Sequence, residues 1–183
     1  MLVLDLSPFP VLRTERLVLR EVRRTDAQAL FDMRSDERVM RYIGRTRANS
    51  MADVEELIDR IQNEQRANTS ISWVLTLHGQ DTMIGTIGYY RLKPEHYRGE
   101  VGYMLHPAHW RTGLMREALE AVVSCGFNRL GFHSIEADTD PLNLASNGLL
   151  AACGFVREGL FRENFYWEGV FRDSAVWSRL APK

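Results

Sequence analysis

The sequence predicts a single-domain α/β (α+β) fold: a mixed, mostly antiparallel central sheet of about seven strands flanked by about four helices. Three observations predict it. Segments of period-two alternation dominate the first 106 residues. After them, two helical segments each follow a strand, the βαβα rhythm that brings parallel pairing into an otherwise antiparallel sheet. Finally, 183 residues without an internal repeat, low-complexity tract or linker-like composition shift fit one domain, taken as residues 1–183.

In chain order, RLVLREV (16–22) alternates and predicts a strand. Thr25, with Gln28 three residues on, reads as a capping box opening a short helix over 26–34. A second helix starts near Ser50, where Val54, Leu57, Ile58 and Ile61 share one face. Residues 71–78 alternate as a strand and turn at His78-Gly79-Gln80-Asp81. Residues 82–92 form the next strand; Gly85 and Gly88 within it mark a bulge or a close backbone approach. A third strand, 99–106, stops at Pro107. The helix over 113–129 gathers Met115, Ala118, Leu119, Val122, Val123 and Phe127 on one face. A strand over 133–139 leads to a helix over 143–153, ended by Gly154. Two strands, 155–165 and 170–180, close the chain around Glu168-Gly169. Trp73 and Trp177 fall at core positions, and Tyr103 at a core or pocket-wall position.

Composition narrows the function. Hydrophobic residues are 45% and charged residues 26%, as in a soluble globular domain. With 23 Lys+Arg against 24 Asp+Glu, the net charge of -1 offers no basic surface to nucleic acid. No apolar run reaches the ~20 residues of a membrane span. The apolar N-terminus lacks a basic n-region and a cleavage site, and is taken as part of the fold. Cys125 and Cys153 lie in apolar segments and read as buried free thiols, which fits a cytoplasmic location. His106, His109 and His133 lack metal-ligand spacing, so no metal is expected.

The chemistry centres on GEVGYMLHPAHWRTGLMREAL (99–119). A strand enters a short loop containing Gly113, and a long helix begins there. The unpaired N–H groups and positive dipole end of a helix N-terminus suit a phosphate or pyrophosphate. Arg111 and Arg116 are placed to add charge-assisted bonds. The segment contains neither GxxxxGK[ST] nor GxGxxG. Further on, DPLNLASN (140–147) opens the helix that ends in Cys153-Gly154-Phe155.

These motifs together resemble the GCN5-related N-acetyltransferases (GNAT), in the branch of the ribosomal-protein N-terminal acetyltransferases. TERLVLR (14–20) resembles that branch's opening strand. Residues 100–119 resemble its acetyl-CoA motif, with Trp110 where the wider family carries Gln or Arg and Arg111 replacing a common Gly. Asn143…Ser146 with Gly154-Phe155 resembles its N-x-x-S…GF helix, and Arg162-Glu163-Asn164 with Gly169 and Asp173 its closing hairpin. The resemblance spans nearly the whole chain in order.

It implies an acetyl-CoA-dependent N-acetyltransferase acting on a primary amine. The pyrophosphate would lie on the amides of Arg111, Thr112, Gly113, Leu114, Met115 and Arg116. The pantetheine arm would enter a split between strands 99–106 and 133–139, pairing with the backbone of Met104 and Leu105, and an N–H near Met104 would meet the thioester oxygen. Glu100 is the candidate base acting through water, or else a strand-edge carboxylate. Ser146 is the candidate proton donor to the thiolate, or else satisfies local helix backbone. Asn143 is expected chiefly to cap the helix and hold the two strands apart.

The acceptor is either a protein N-terminal α-amine or a small amine such as a polyamine, amino acid or antibiotic; a non-catalytic acyl-CoA-binding module is the reading from another class. An α-amine, with a pKa about 2.5 units below that of lysine, is deprotonated at a cost about 3.4 kcal/mol lower. The acceptor cleft is expected between residues 25–50 and the hairpin 161–173. Within it, 34–47 carries five arginines against Asp36 and Glu37, and Arg38 and Arg41 are taken to attract an acidic acceptor. Trp167, at the hairpin turn, is assigned either to that cleft or to a homodimer contact.

Overall fold

The computed structural model describes residues 2–183. One eight-stranded sheet runs through the molecule, in the order β1-β2-β3-β4-β5-β6-β8-β7. The strands are β1 (Leu12–Arg13), β2 (Leu17–Glu21), β3 (Ile71–Leu77), β4 (Gly85–Lys93), β5 (Arg98–Leu105), β6 (Ser134–Thr139), β7 (Val156–Trp167) and β8 (Val170–Leu180). The helices are α1 (Ala27–Ser35), α2 (Glu37–Met40), α3 (Met51–Arg66), α4 (Leu114–Asn128) and α5 (Leu144–Ala152). Every neighbouring pair is antiparallel except β5 and β6, joined in parallel through the α4 crossover.

Two elements exceed the expected seven strands and four helices. β1 is only two residues long, and α2 is a single four-residue turn. Neither is long enough to show a hydrophobic period. The strand expected from residue 82 begins at Gly85. The first helix is not capped by Thr25. Asp26 accepts the Arg23 N–H at 2.7 Å and, being buried, takes a bidentate pair from the Arg20 guanidinium at 2.7 and 2.9 Å. The Asp26 carboxylate closes the 3-10 turn that precedes α1, so the helix starts one residue later than a Thr25 cap would set it. Arg20 also reaches Asp81 at 2.8 Å, tying β2 to the turn after β3.

α3 starts where expected: Ser50 Oγ accepts the Asp53 N–H, and Asp53 in return accepts the Ser50 N–H at 3.1 Å. The β7–β8 turn places both Glu168 and Gly169 at positive φ, the geometry of a two-residue hairpin. Gly88 fits the expected close approach, since a Cβ there would collide with the Ile71 carbonyl. The bulge of β4 lies two residues on, between Tyr89 and Arg91, where Tyr90 is the extra residue.

The sheet has two covered faces. On one, Leu17, Leu19, Trp73, Ile87, Tyr89 and Val101 pack against Leu119 and Val122 of α4 and Leu150 of α5. On the other, Val74 and Met83 pack against Leu30 and Met33 of α1 and Val54 and Ile58 of α3. Strand alternation therefore assigns each β5 side chain to one face: Val101, Tyr103 and Leu105 toward α4, Glu100, Gly102 and Met104 toward α1 and α3. The N-terminal segment packs on the first face, burying Leu4 and Leu6. Trp73 and Trp177 are core residues, and both cysteines are buried and unbridged.

Candidate active site

β5 and β6 pair at only three positions, Arg98 with Ser134, Gly99 with Ile135 and Glu100 with Glu136. Beyond Glu100 the two strands part. β5 stays bonded to β4 throughout, and the His106 N–H donating to the Ile84 carbonyl at 2.8 Å sets the phase of that ladder. Alternation then directs the N–H and C=O of Met104 at Thr86, and those of Tyr103 and Leu105 into the gap. Of the two residues expected from sequence, Leu105 thus turns its backbone groups into the gap and Met104 does not; Tyr103 takes the second place. The Leu105 carbonyl already accepts the Trp110 indole N–H at 2.7 Å.

The loop after β5 ends on Gly113, the N-cap of α4, at φ +81. Among the described residues, no backbone N–H from Arg111 to Arg116 donates a hydrogen bond; the first is Glu117 N–H to the Gly113 carbonyl at 3.2 Å. Arg111 also holds a left-handed conformation, φ +61, with its side chain exposed. The result is a run of six outward amides at the positive end of a 15-residue helix. Leu114 and Met115 are buried and offer only backbone to this cradle. The Arg116 Nε pairs with Glu120 at 2.9 Å on the exposed face of α4.

Behind the loop stands Arg16. Its Nε donates to Glu117 at 2.7 Å and its Nη1 to the Thr112 carbonyl at 2.9 Å. Glu117 also accepts the Arg16 N–H at 2.7 Å and the Thr14 hydroxyl. Burial pushes the Glu117 carboxyl up, but these bonds outweigh it and hold it below the usual range. The Thr-Glu-Arg segment and the first turn of α4 were both singled out in the sequence; their contact was not.

On the α4 face, the Tyr103 hydroxyl lies 2.8 Å from Ser146 Oγ. Burial pushes the Tyr103 phenol up to about 12, against the pull of the Ser146 hydrogen bond. Asn143 is the N-cap of α5, its side-chain oxygen accepting the Ser146 N–H at 3.1 Å. Asn147, which sequence reasoning passed over, braces the same turn. It donates to the Asp140 and Pro141 carbonyls, and its oxygen accepts the Thr139 hydroxyl at 2.6 Å.

On the opposite face, Glu100 accepts from Arg91 at 2.9 Å, and Asp138 lies 3.7 Å from the same guanidinium. Burial raises the Glu100 pKa, opposed by Arg91 and helped by Asp138. Glu100 and Ser146 therefore flank the gap from its two sides. Beside Glu100, the Tyr90 ring lies over Gly102, and its hydroxyl is 3.2 Å from Ser72 Oγ. That hydroxyl, turned inward, is raised by burial although the ring is 40% exposed.

The hairpin and the α2–α3 loop meet here: a Cβ on Gly44 would fall 2.8 Å from the Phe165 ring. Trp167 stacks on Phe165, centroids 6.2 Å apart. Arg38 is drawn aside by Asp36 at 2.6 Å, and Arg41 lies over the Tyr42 ring. His106 accepts the Ala108 N–H and so caps a turn, and among the described residues no group of three or more His, Cys, Asp or Glu side chains is placed to hold a metal ion.

Residues 16–156 match the family model of the acetyltransferase (GNAT) domain. The chain is 38% identical over 178 residues, 96% of its own length and 99% of the relative's, to the uncharacterized N-acetyltransferase YoaA of Bacillus subtilis strain 168. It is 24% identical over 158 residues, 86% of its length and 89% of the relative's, to the spermidine N(1)-acetyltransferase of Vibrio cholerae. A GNAT-family acetyltransferase from Bacillus anthracis superposes with a TM-score of 0.84 at 24% identity, covering 93% of this chain and 98% of that one.

Proposed function

Because the chain belongs to the GNAT acetyltransferase family, we propose that the gap between β5 and β6 is where its acetyl donor and acceptor amine meet, and that the acceptor is an α-amine or a comparably acidic primary amine. As an N-acetyltransferase it uses acetyl-CoA as acetyl donor. The observation that carries the reading is the parting of β5 from β6 between an unbonded amide cradle and a hydroxyl pair.

The amides of Arg111 to Arg116 hold the pyrophosphate, and Gly113 leaves room for it: the nearest atom to a Cβ there is Arg16 Nη2 at 3.4 Å. The backbone of Tyr103 and Leu105 pairs with the pantetheine amides as a missing strand. The N–H of one of these residues donates to the carbonyl oxygen as negative charge develops on it. From the other face Glu100 takes the amine proton through a water as the C–N bond forms. As the C–S bond breaks, Ser146 gives its hydroxyl proton to the sulfur and takes one from Tyr103; the Tyr103 phenol, held neutral by its raised pKa, recovers its proton from solvent, and Glu100 releases the amine proton to solvent.

The N-terminal α-amine reading rests on the motif resemblance. The spermidine-acetylating relative supports a small-amine reading at lower identity. A melting scan tests the donor site: CoA should stabilise the protein by about 2.7 kcal/mol at 100-fold excess over Kd, and NAD or ATP should not. No shift with millimolar CoA would overturn the assignment.

A further inference from the structure

Arg34 of α1 and Arg60 of α3 line one concavity of about 300 Å³, together with Thr46 and Asn49 from the α2–α3 loop. The loop is folded around Arg34, whose Nη2 donates to the Thr46 carbonyl at 3.2 Å and whose own carbonyl accepts the Ala48 N–H at 3.0 Å. Arg45 leaves the same loop one residue away. Among the described residues, none of these three arginines pairs with a carboxylate, and the side chains of Arg45 and Arg60 make no hydrogen bond.

The nearby acids are already engaged. Asp36 holds Arg38, Glu37 lies 3.6 Å from Arg47, and Asp53, which also lines the concavity, accepts the Asn49 and Ser50 N–H groups. Burial, with the repulsion of Arg45 and Arg60, holds Arg34 below the ordinary arginine range. The guanidinium groups remain charged regardless. In a chain of net charge -1, Arg34, Arg45 and Arg60 gather here against one lining carboxylate, Asp53, with which none of them pairs.

Tyr90 links the cluster to the proposed transfer site. Arg34 and Arg45 both act on the Tyr90 hydroxyl. The Tyr90 ring covers Gly102, two residues from Glu100 on the same face of β5. Guanidinium forks match the oxygens of a carboxylate or phosphate.

We propose that Arg34, Arg45 and Arg60 bind an anionic group, carboxylate or phosphate, carried by the acetyl acceptor, so that the preferred acceptors are amines bearing such a group and not polyamines. The link to the acceptor rests on the transfer reading above; anion binding itself does not. Attraction over such a distance is screened within about 8 Å at physiological salt, so the preference weakens as salt rises.

The test uses matched probes on the full chain saturated with CoA or acetyl-CoA. Ethanolamine is compared with O-phosphoethanolamine, β-alaninamide with β-alanine, and a neutral tripeptide with one carrying Glu at its second and third positions. Binding is read by calorimetry and transfer by thiol release. The wild type should bind and acetylate the anionic member of at least one pair with about tenfold or greater preference, and the pair that shows it identifies phosphate, free carboxylate or acidic peptide as the source. The double variant R45Q/R60Q, altering two exposed and unpaired side chains, should level that preference while acetyl-CoA KM stays unchanged. Arg38→Gln, already committed to Asp36, should leave the preference intact. Equal binding within every pair, or a preference that survives R45Q/R60Q, overturns the anion site. Arginine-dependent anion binding without thiol release from any amine supports the site and overturns the transfer reading instead. Thiol release from neutral amines or spermidine alone does the reverse.

Discussion

The Tyr103 hydroxyl and Ser146 Oγ, 2.8 Å apart, join β5 to the first turn of α5 on the side where the sheet has opened. In the proposed transfer, Ser146 is the proton donor at the gap and Tyr103 the second hydroxyl behind it. Ser146→Ala should lower kcat by about 10²-fold or more, the usual worth of general-acid help, with little change in acetyl-CoA KM. Tyr103→Phe should cost about tenfold, one hydrogen bond of support. Steady-state kinetics on both variants checks this; full activity in the serine variant would leave Ser146 a helix residue only.

Glu100 gives a pH signature in both activity and stability. Its pKa is raised by burial, so the folded state holds its proton more tightly than the unfolded chain does. Its favourable contribution is complete below the ordinary carboxylate pKa and is lost as pH rises through the higher folded value. Glu100→Gln should therefore raise Tm relative to the wild type at pH 8 and give no such gain at pH 4. Activity should fall in the same variant, with the acidic limb of its pH–rate profile flattened. A Tm gain independent of pH would refute the burial argument.

Gly113 sits in the left-handed region that a side chain enters at a cost of about 1 kcal/mol. Gly113→Ala should lose that much stability and only part of its CoA affinity. Gly113→Asp should lose CoA binding altogether, since its carboxylate would lie beside Arg16 and face the pyrophosphate. Calorimetry with CoA distinguishes the two; unaltered binding by the Asp variant would move the pyrophosphate elsewhere.

The Arg16–Glu117 pair should behave as a positioning device. Glu117 is held below its ordinary pKa, so its contribution is present above about pH 4.3 and is lost as pH falls through the folded value. Glu117→Gln should cost about 1 kcal/mol at pH 7 and less at pH 3. Because Arg16 also anchors the Thr112 carbonyl, Arg16→Ala should raise acetyl-CoA KM several-fold at nearly constant kcat. A change confined to kcat would mean that Arg16 does not orient the loop.

Local patterns in the sequence reached most of the fold and stopped at distances they do not encode. The alternation of 71–78 and the apolar stripe of 113–129 became β3 and α4 because each period is a property of neighbouring residues. Ser50 and Asn143 cap their helices because capping spans only three residues. The contacts that assemble the site cross the chain. Thr14 and Glu117 lie 103 positions apart, and Arg34 meets Arg60 only because α1 packs on α3. Met104 is read beside Leu105, where Tyr103 belongs, because phase along a strand is set by the partner strand, here through His106 and Ile84. The sequence shows five arginines over 34–47 but not which of them the fold leaves without a carboxylate: Arg38 pairs with Asp36 two residues away, whereas Arg34 and Arg45 pair with none.

The short parallel junction has a consequence for solvent exchange. Three rungs hold β5 to β6, while the remainder of β5 is fastened on one side only. Along a single strand, amide protons should then fall into two classes with a two-residue rhythm: Gly102 and Met104, locked against β4, exchange with deuterium slowly, and Tyr103 and Leu105 exchange fast. Acetyl-CoA, by lending the missing strand, should erase that rhythm and slow the fast class. The ladders of β2 with β3 and of β6 with β8 run without a break and should hardly change, so the deuterium map of this one strand doubles as an occupancy gauge for the donor.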